Sequence, residues 1–169
     1  EVIFTPSLEE DLKRRDFTIN AMAYSETTGV VDLFDGIRDI ENGVIRCVGD
    51  ARERFGEDAL RIMRAIRFSA QLGYEIEEET REAIKELAPS LKKISAERIQ
   101  TELVNLMISD HPDFLREAYR LGVTREFLPE FDKAMETPQN HLHHQYSVGE
   151  HILHSMLEIC PEKILRLAM

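Results

Sequence analysis

The sequence predicts an α+β protein that is mainly helical, a small mixed piece followed by an all-helical one. Two strand-like runs, at 30–36 and 44–48, lie within the first fifty positions and are separated by the turn Glu41-Asn42-Gly43. From Asp50 onward the apolar spacing is helical, over roughly 57–73, 77–87, 95–108, 111–121 and 124–135. Gly56, Gly73, Pro89, Pro112, Gly122, Pro129 and Pro138 punctuate these segments, and the pattern changes near Gly49. With 169 residues, 43% of them hydrophobic, the chain can bury a core.

Taken in order, Val2-Ile3-Phe4-Thr5 reads as a strand closed by Pro6 and Ser7. Ser7-Leu8-Glu9-Glu10 is a capping-box start for a short helix through about Leu12. The stretch from Lys13 to Tyr24 reads as helical at least in its second half. Asp32-Leu33-Phe34-Asp35-Gly36-Ile37-Arg38-Asp39 is a carboxylate-rich turn, which turn formation alone explains. Glu75-Ile76-Glu77-Glu78-Glu79 reads as a solvated helix start. Both ends fall in mid-element, Glu1 on a strand and Met169 inside an apolar pattern, so the sequence is expected to be part of a longer chain.

The chain is organised around Glu57-Asp58-Ala59-Leu60-Arg61-Ile62-Met63-Arg64-Ala65-Ile66-Arg67-Phe68. Glu57 and Asp58 are placed at a helix start, where negative charge suits the free amides. The following run is apolar on nearly every side, which argues for a buried helix. Arg61, Arg64 and Arg67, spaced by three, form one stripe on it. A guanidinium on such a helix needs an anionic or hydrogen-bonding partner. That partner is either a set of i,i+3 and i,i+4 acids or a bound anion, and spacing alone does not choose.

Net charge −11 argues against a nucleic-acid partner, but its distribution weakens the argument. Residues 11–67 carry ten Lys/Arg against eleven Asp/Glu, so nearly all the acidity lies elsewhere. No apolar run reaches the roughly 18–20 residues of a membrane span. Cys47 and Cys160 show no CxxC spacing, consistent with a reduced, cytoplasmic setting.

Other clusters have plain alternatives. Lys13-Arg14-Arg15-Asp16 is a basic cluster of the kind found at helix ends, and Asn20 reads equally well as a surface amide. Five of the six histidines fall at His141, His143, His144, His151 and His154, but no spacing completes a metal site. His151 and His154 share a helix face, either with a metal or as a simple surface pair.

Together these segments resemble the bacterial-type tRNA nucleotidyltransferase (CCA-adding enzyme) and poly(A) polymerase family, template-independent polymerases of RNA 3′ ends. Arg14-Arg15-Asp16-Phe17-Thr18-Ile19-Asn20-Ala21 looks like its RRDxTxNA motif, and Asp32-Leu33-Phe34-Asp35-Gly36 with Asp39 like its flexible-loop motif. Glu57-Asp58-Ala59-Leu60-Arg61, with Arg64 and Arg67, resembles its EDxxR base-reading helix. Ser95-Ala96-Glu97-Arg98-Ile99 with Glu102 and Leu103 resembles the helix opening the second half of the neck. The four motifs stand in family order over about residues 1–130.

The resemblance implies a partial nucleotidyltransferase palm over 1–49, a helical neck over 50–125 and the start of a helical body of HD type over 126–169. It implies that Asp58 and Arg61 read the Watson–Crick edge of CTP and ATP. Arg15, Arg64 and Arg67 would contact triphosphate or ribose, and Asn20 would bind the sugar or hold the site together. Mg2+ would be held by an upstream carboxylate pair outside this sequence, which would leave the fragment without polymerase activity. Tyr146-Ser147-Val148-Gly149-Glu150-His151 resembles the opening of the HD module, making His151 a candidate first ligand of a second divalent metal. The expected partners are a tRNA or other RNA 3′ end with CTP and ATP. Open alternatives are a poly(A) polymerase, an A-only or CC-only member, an HD-type phosphohydrolase with a nucleotide-binding front, and a binding module without catalysis.

Overall fold

The computed structural model describes residues 7–139 and 145–169; the expected strand at 2–5 and the histidines at 141, 143 and 144 lie outside them. The first described element is α1 (Leu8–Lys13), capped by the Ser7 side chain, which accepts from the Glu10 amide at 3.4 Å. The chain then departs from the helical expectation. Residues Thr18–Asn20 form one 3₁₀ turn, and Met22–Ser25 is a strand, β1. It pairs antiparallel with β2 (Gly29–Asp32), Met22 opposite Asp32 and Ser25 opposite Gly29. Ala21-Met22-Ala23 favours helix locally, and pairing with the Val30-Val31 strand overrides that weak preference.

The expected carboxylate-rich turn contains a helix, α2 (Gly36–Asn42). Asp32 serves as its cap from a distance, accepting from the amides of Phe34, Gly36 and Ile37 at 3.3, 2.9 and 2.9 Å. Gly36 lies so close to the 3₁₀ turn that a Cβ there would strike the Thr18 carbonyl. The second strand shortens to β3 (Val44–Ile45). It runs parallel to β4 (Glu75–Ile76), a strand where a solvated helix start was expected; Ile76 is buried and pairs with Ile45.

The expected helix start at Glu57 is instead a helix end. Asp50 caps α3 (Ala51–Glu57) through the Arg52 and Glu53 amides, and the chain breaks at Asp58 before α4 (Leu60–Leu72). The Asp58 carboxylate accepts from the Leu60 amide at 3.1 Å, so it still caps the helix that follows. Helix α4 is the buried helix the pattern predicts: Ile62, Met63, Ala65, Ile66 and Ala70 are fully enclosed.

The next four helices follow the expected segments at 77–87, 95–108, 111–121 and 124–135, with breaks, and two more helices come after them. They are α5 (Glu78–Leu87), α6 (Ala96–Met107), α7 (Leu115–Arg120), α8 (Pro129–Glu136), α9 (Val148–Glu158) and α10 (Lys163–Ala168). Helix α4 packs on α6, α3 on α5, α8 on α9 and α10 on α6. One buried cluster runs from Phe17 and Ile45 through α4 to Leu153 and Met156. No helix among the described residues is long and apolar enough to cross a membrane.

Candidate functional site

The arginine stripe of α4 faces three carboxylates, one each from α3, the turn after α1 and α6. Arg61 has the local partner that spacing allows: its Nη1 donates to Glu57 Oε2 at 2.6 Å and to the Arg54 carbonyl at 3.1 Å. Its Nη2 lies 3.3 Å from the Arg14 carbonyl, joining α4 to the turn after α1. Arg64 and Arg67 have partners far away in sequence. Arg64 Nε donates to Asp16 Oδ2 at 2.5 Å, and Arg67 Nε to Glu102 Oε2 at 2.5 Å. Glu102 also lies 3.8 Å from Arg64 Nη1, so one carboxylate of α6 serves both guanidiniums. Arg67 further donates to Gln71 and lies 3.9 Å over the Phe68 ring, with 11% of its side chain exposed.

Asp16 is the hinge of this arrangement. Its Oδ1 accepts from Asn20 Nδ2 at 2.7 Å while Oδ2 takes Arg64, and Asn20 Oδ1 in turn accepts from the Phe17 amide at 3.3 Å. Asn20 therefore shapes the turn rather than standing as a surface amide. Burial alone would raise the Asp16 carboxyl, but the Arg64 and Asn20 donors outweigh it and hold the group below the usual carboxylate range. Glu57 is likewise held low, chiefly by Arg61, against a smaller opposing effect of burial. Arg15 stands at the rim, half exposed and 3.0 Å from Asp11.

The flexible-loop motif reaches the same place through Thr18. Asp39, 4% exposed, accepts from Thr18 Oγ1 at 2.7 Å and from Arg46 Nε at 3.1 Å. Thus Thr18, two residues from Asp16, is pinned from α2.

Asp58 and Arg61 occupy the mouth of the stripe. Besides capping Leu60, Asp58 accepts through Oδ2 from Arg98 Nη2 at 2.8 Å. Among the described residues, two of the four lone-pair positions of that carboxylate are used, and three of the five N–H groups of Arg61. Both groups are fixed in place and both keep spare capacity toward a ligand. Sequence reasoning names Arg15, Asn20, Asp58, Arg61, Arg64 and Arg67 but assigns no site roles to Asp16, Arg98 and Glu102. For Asp16 and Glu102 the signal is the unanswered charge: three arginines on a buried helix require acids, and these two answer Arg64 and Arg67.

His151 and His154 do lie on one helix, α9, with His151 exposed and His154 stacked on Tyr146 at 4.3 Å between ring centres. No group of three or more His, Cys, Asp and Glu side chains among the described residues is arranged to hold a metal ion.

Two family models match the chain: "Poly A polymerase head domain" over residues 1–46 and "Probable RNA and SrmB- binding site of polymerase A" over residues 73–135. The CCA-adding enzyme of Leuconostoc mesenteroides is 60% identical over 128 residues, covering 76% of this chain and 32% of that enzyme. That of Lactobacillus helveticus is 46% identical over 149 residues, 86% of this chain and 37% of the relative. Among solved structures, the Bacillus stearothermophilus CCA-adding enzyme in complex with CTP aligns with a TM-score of 0.75 at 42% identity, over 78% of this chain and 34% of that one. The Thermotoga maritima CCA-adding enzyme complexed with tRNA aligns with a TM-score of 0.67 at 32% identity, over 76% and 34%. The chain therefore spans about a third of the length of the relatives it matches.

Proposed function

Because the chain belongs to the family of bacterial-type CCA-adding enzymes and poly(A) polymerases, we propose that it supplies the base-selecting part of an enzyme that adds C and A from CTP and ATP to tRNA 3′ ends without a template. In this reading residues 1–49 close a nucleotidyltransferase palm, 50–125 form the neck and 126–169 open the body.

The observation that carries the proposal is the anchored pair at the mouth of α4. Cytosine and adenine both present an amino donor beside a ring-nitrogen acceptor, whereas uracil and guanine present a carbonyl beside an N–H. Asp58 accepts from the amino group and Arg61 donates to the ring nitrogen, so one pair of side chains serves both C and A. Against U or G the same groups meet their own kind, and mismatched polar groups away from water are costly. The pair is held by Arg98, the Leu60 amide, Glu57 and the Arg54 carbonyl, so little order remains to be imposed on binding.

Arg15 and Arg64 are assigned to the triphosphate and ribose. Arg64 binds Asp16 through Nε and lies near Glu102 through Nη1, which leaves its Nη2 donors for a phosphate. Arg67 is assigned the same ligand through the Glu102 cluster, and Asn20 the shaping of the turn that presents Arg15 and Asp16. Magnesium is implied by the family, and the steps assigned to this chain's own residues are binding, base selection and exclusion of the wrong base. We further assign α9 to the opening of an HD-type body with His151 as a candidate ligand, and the protein to the cytoplasm, where its free Cys47 and Cys160 stay reduced.

Incubating the full-length protein with CTP, ATP and a tRNA lacking its terminal CCA tests the reading. Addition of C, C and A is expected. Long tails of A made from ATP alone would assign the chain to a poly(A) polymerase instead.

A further inference from the structure

Arg54, on α3, carries a guanidinium that belongs neither to the base-reading pair nor to the arginine stripe of α4. It stands in the last turn of a seven-residue helix, yet only 12% of its side chain is exposed. Its Nε donates to the Val48 carbonyl at 3.1 Å, and its Nη1 to both Glu57 oxygens, at 3.1 and 2.9 Å. Val48 is itself buried, and its amide donates to the Asp16 carbonyl at 3.1 Å.

These bonds close a ring. From the RRDxTxNA turn it runs through Val48 to Arg54, from Arg54 to Glu57, and from Glu57 to Arg61. Arg61 Nη2 returns it to the turn at the Arg14 carbonyl. Glu57 is the exposed member: 52% of its side chain meets solvent, and it ends α3 just before the break at Asp58. An exposed i,i+4 pair such as Glu57 with Arg61 is ordinarily loose, because two long side chains must be ordered for a small gain. Here the carboxylate is gripped from its other side by a guanidinium that is itself fixed at Val48.

The plain explanation is a cation in the last turn of a helix, with an acid three residues on. That accounts for the Glu57 contact but not for the Val48 bond or the burial. Arg52 of the same helix shows the contrast: it pairs with Glu86 and stays 49% exposed.

We propose that Arg54 is a positioning residue for base selection: it fixes Glu57, and through Glu57 the Arg61 guanidinium that donates to the ring nitrogen of cytosine or adenine. The proposal rests on the reading of Asp58 and Arg61 as the pair that meets the base. Arg54 itself touches no nucleotide. Its contribution is that Arg61 is aimed before the nucleotide arrives, so less order has to be imposed on binding. A uracil or guanine N–H then meets a donor that cannot turn aside. A planar guanidinium spans the Val48 carbonyl and Glu57 with fixed donors, a geometry that a lysine ammonium on a flexible stem does not reproduce.

The test titrates the full-length protein with CTP and with 3-deaza-CTP, in which a C–H replaces the ring nitrogen. The parent should bind CTP about tenfold more tightly, the scale of one hydrogen bond from a charged donor. Arg54→Met should shrink that ratio to about twofold, chiefly by weakening CTP. Arg54→Lys, which keeps the charge, should shrink it too, and it carries the test alone should circular dichroism show Arg54→Met unfolded. Loss of a positive charge, or a general loosening of the pocket, would weaken both nucleotides alike and leave the ratio as it was. A ratio still at the parent value in every variant that folds would therefore overturn the proposal. A parent that binds CTP and 3-deaza-CTP equally would instead remove Arg61 as a reader of the base, and this role with it.

Discussion

Arg64 donates to Asp16 at 2.5 Å across 48 positions of sequence, and through Asp16 the arginine helix holds the RRDxTxNA turn. Asp16 is 7% exposed, and its other oxygen is taken by Asn20. One carboxylate thus aligns two motifs that the sequence keeps far apart.

Asp16→Asn should therefore lower stability by about 2 kcal/mol, the scale of a hydrogen bond to a charged group. It should also change the acid limb. The folded Asp16 titrates below its ordinary value of about 3.9, so its contribution is present above that pH and is lost as pH falls toward the folded value. Denaturant midpoints measured between about pH 3 and 7 should fall steeply below pH 4 in the parent and less steeply in Asp16→Asn.

Glu102 is the second shared acid, serving Arg67 directly and Arg64 at longer range. Glu102→Ala leaves the Arg67 guanidinium, 11% exposed, with only Gln71 and the Phe68 face as partners among the described residues. A cost of about 3 kcal/mol is expected in chemical denaturation. Replacing both members by apolar residues, Arg67→Met with Glu102→Leu, should cost less than Glu102→Ala alone, because no buried charge is then stranded.

Arg98 holds the free oxygen of Asp58. Arg98→Ala should leave the fold nearly unchanged, since the pair is half exposed and worth at most about 1 kcal/mol. Its effect should appear in base choice: the preference for CTP over UTP should drop severalfold, as a carboxylate free to turn presents no fixed acceptor.

Gly36→Ala should act at a distance from the arginines. The added Cβ would strike the Thr18 carbonyl and lie 3.1 Å from Met22 Sδ, forcing α2 away from the turn that Asp39 pins. Overpacking of this kind costs about 1–3 kcal/mol. Weaker CTP binding should accompany the loss of stability, because Thr18 carries Asp16 and Asn20 with it.

The α4 stripe is legible in the sequence because three arginines on an apolar helix stand out from any ordinary amphipathic pattern. Their acids are not, since Asp16 and Glu102 lie 48 and 35 residues from the arginines they meet. Helix α3 is hidden for a local reason: Glu57 and Asp58 look like a helix start, and the cap that begins one, Asp50, stands seven residues before Glu57. Helix α2 escapes a local reading because its cap, Asp32, reaches over a left-handed Asp35 to amides up to five positions on. Strand β1 reads as helix because Ala and Met favour one, and only the partner strand decides. The acids are fixed by contacts 48 and 35 positions away, whereas α2, α3 and β1 turn on a cap or a hairpin partner within ten positions.

The central claim, that Asp58 and Arg61 read the base, is tested most directly by titrating the chain with CTP, ATP, GTP and UTP in the parent and in Asp58→Asn. The parent should bind CTP and ATP at least tenfold more tightly than GTP and UTP, a difference of about 1.4 kcal/mol. In Asp58→Asn, whose amide can donate where the carboxylate accepts, that preference should collapse while circular dichroism stays unchanged. Equal binding of all four nucleotides by the parent, or a preference that survives in Asp58→Asn, would contradict the account.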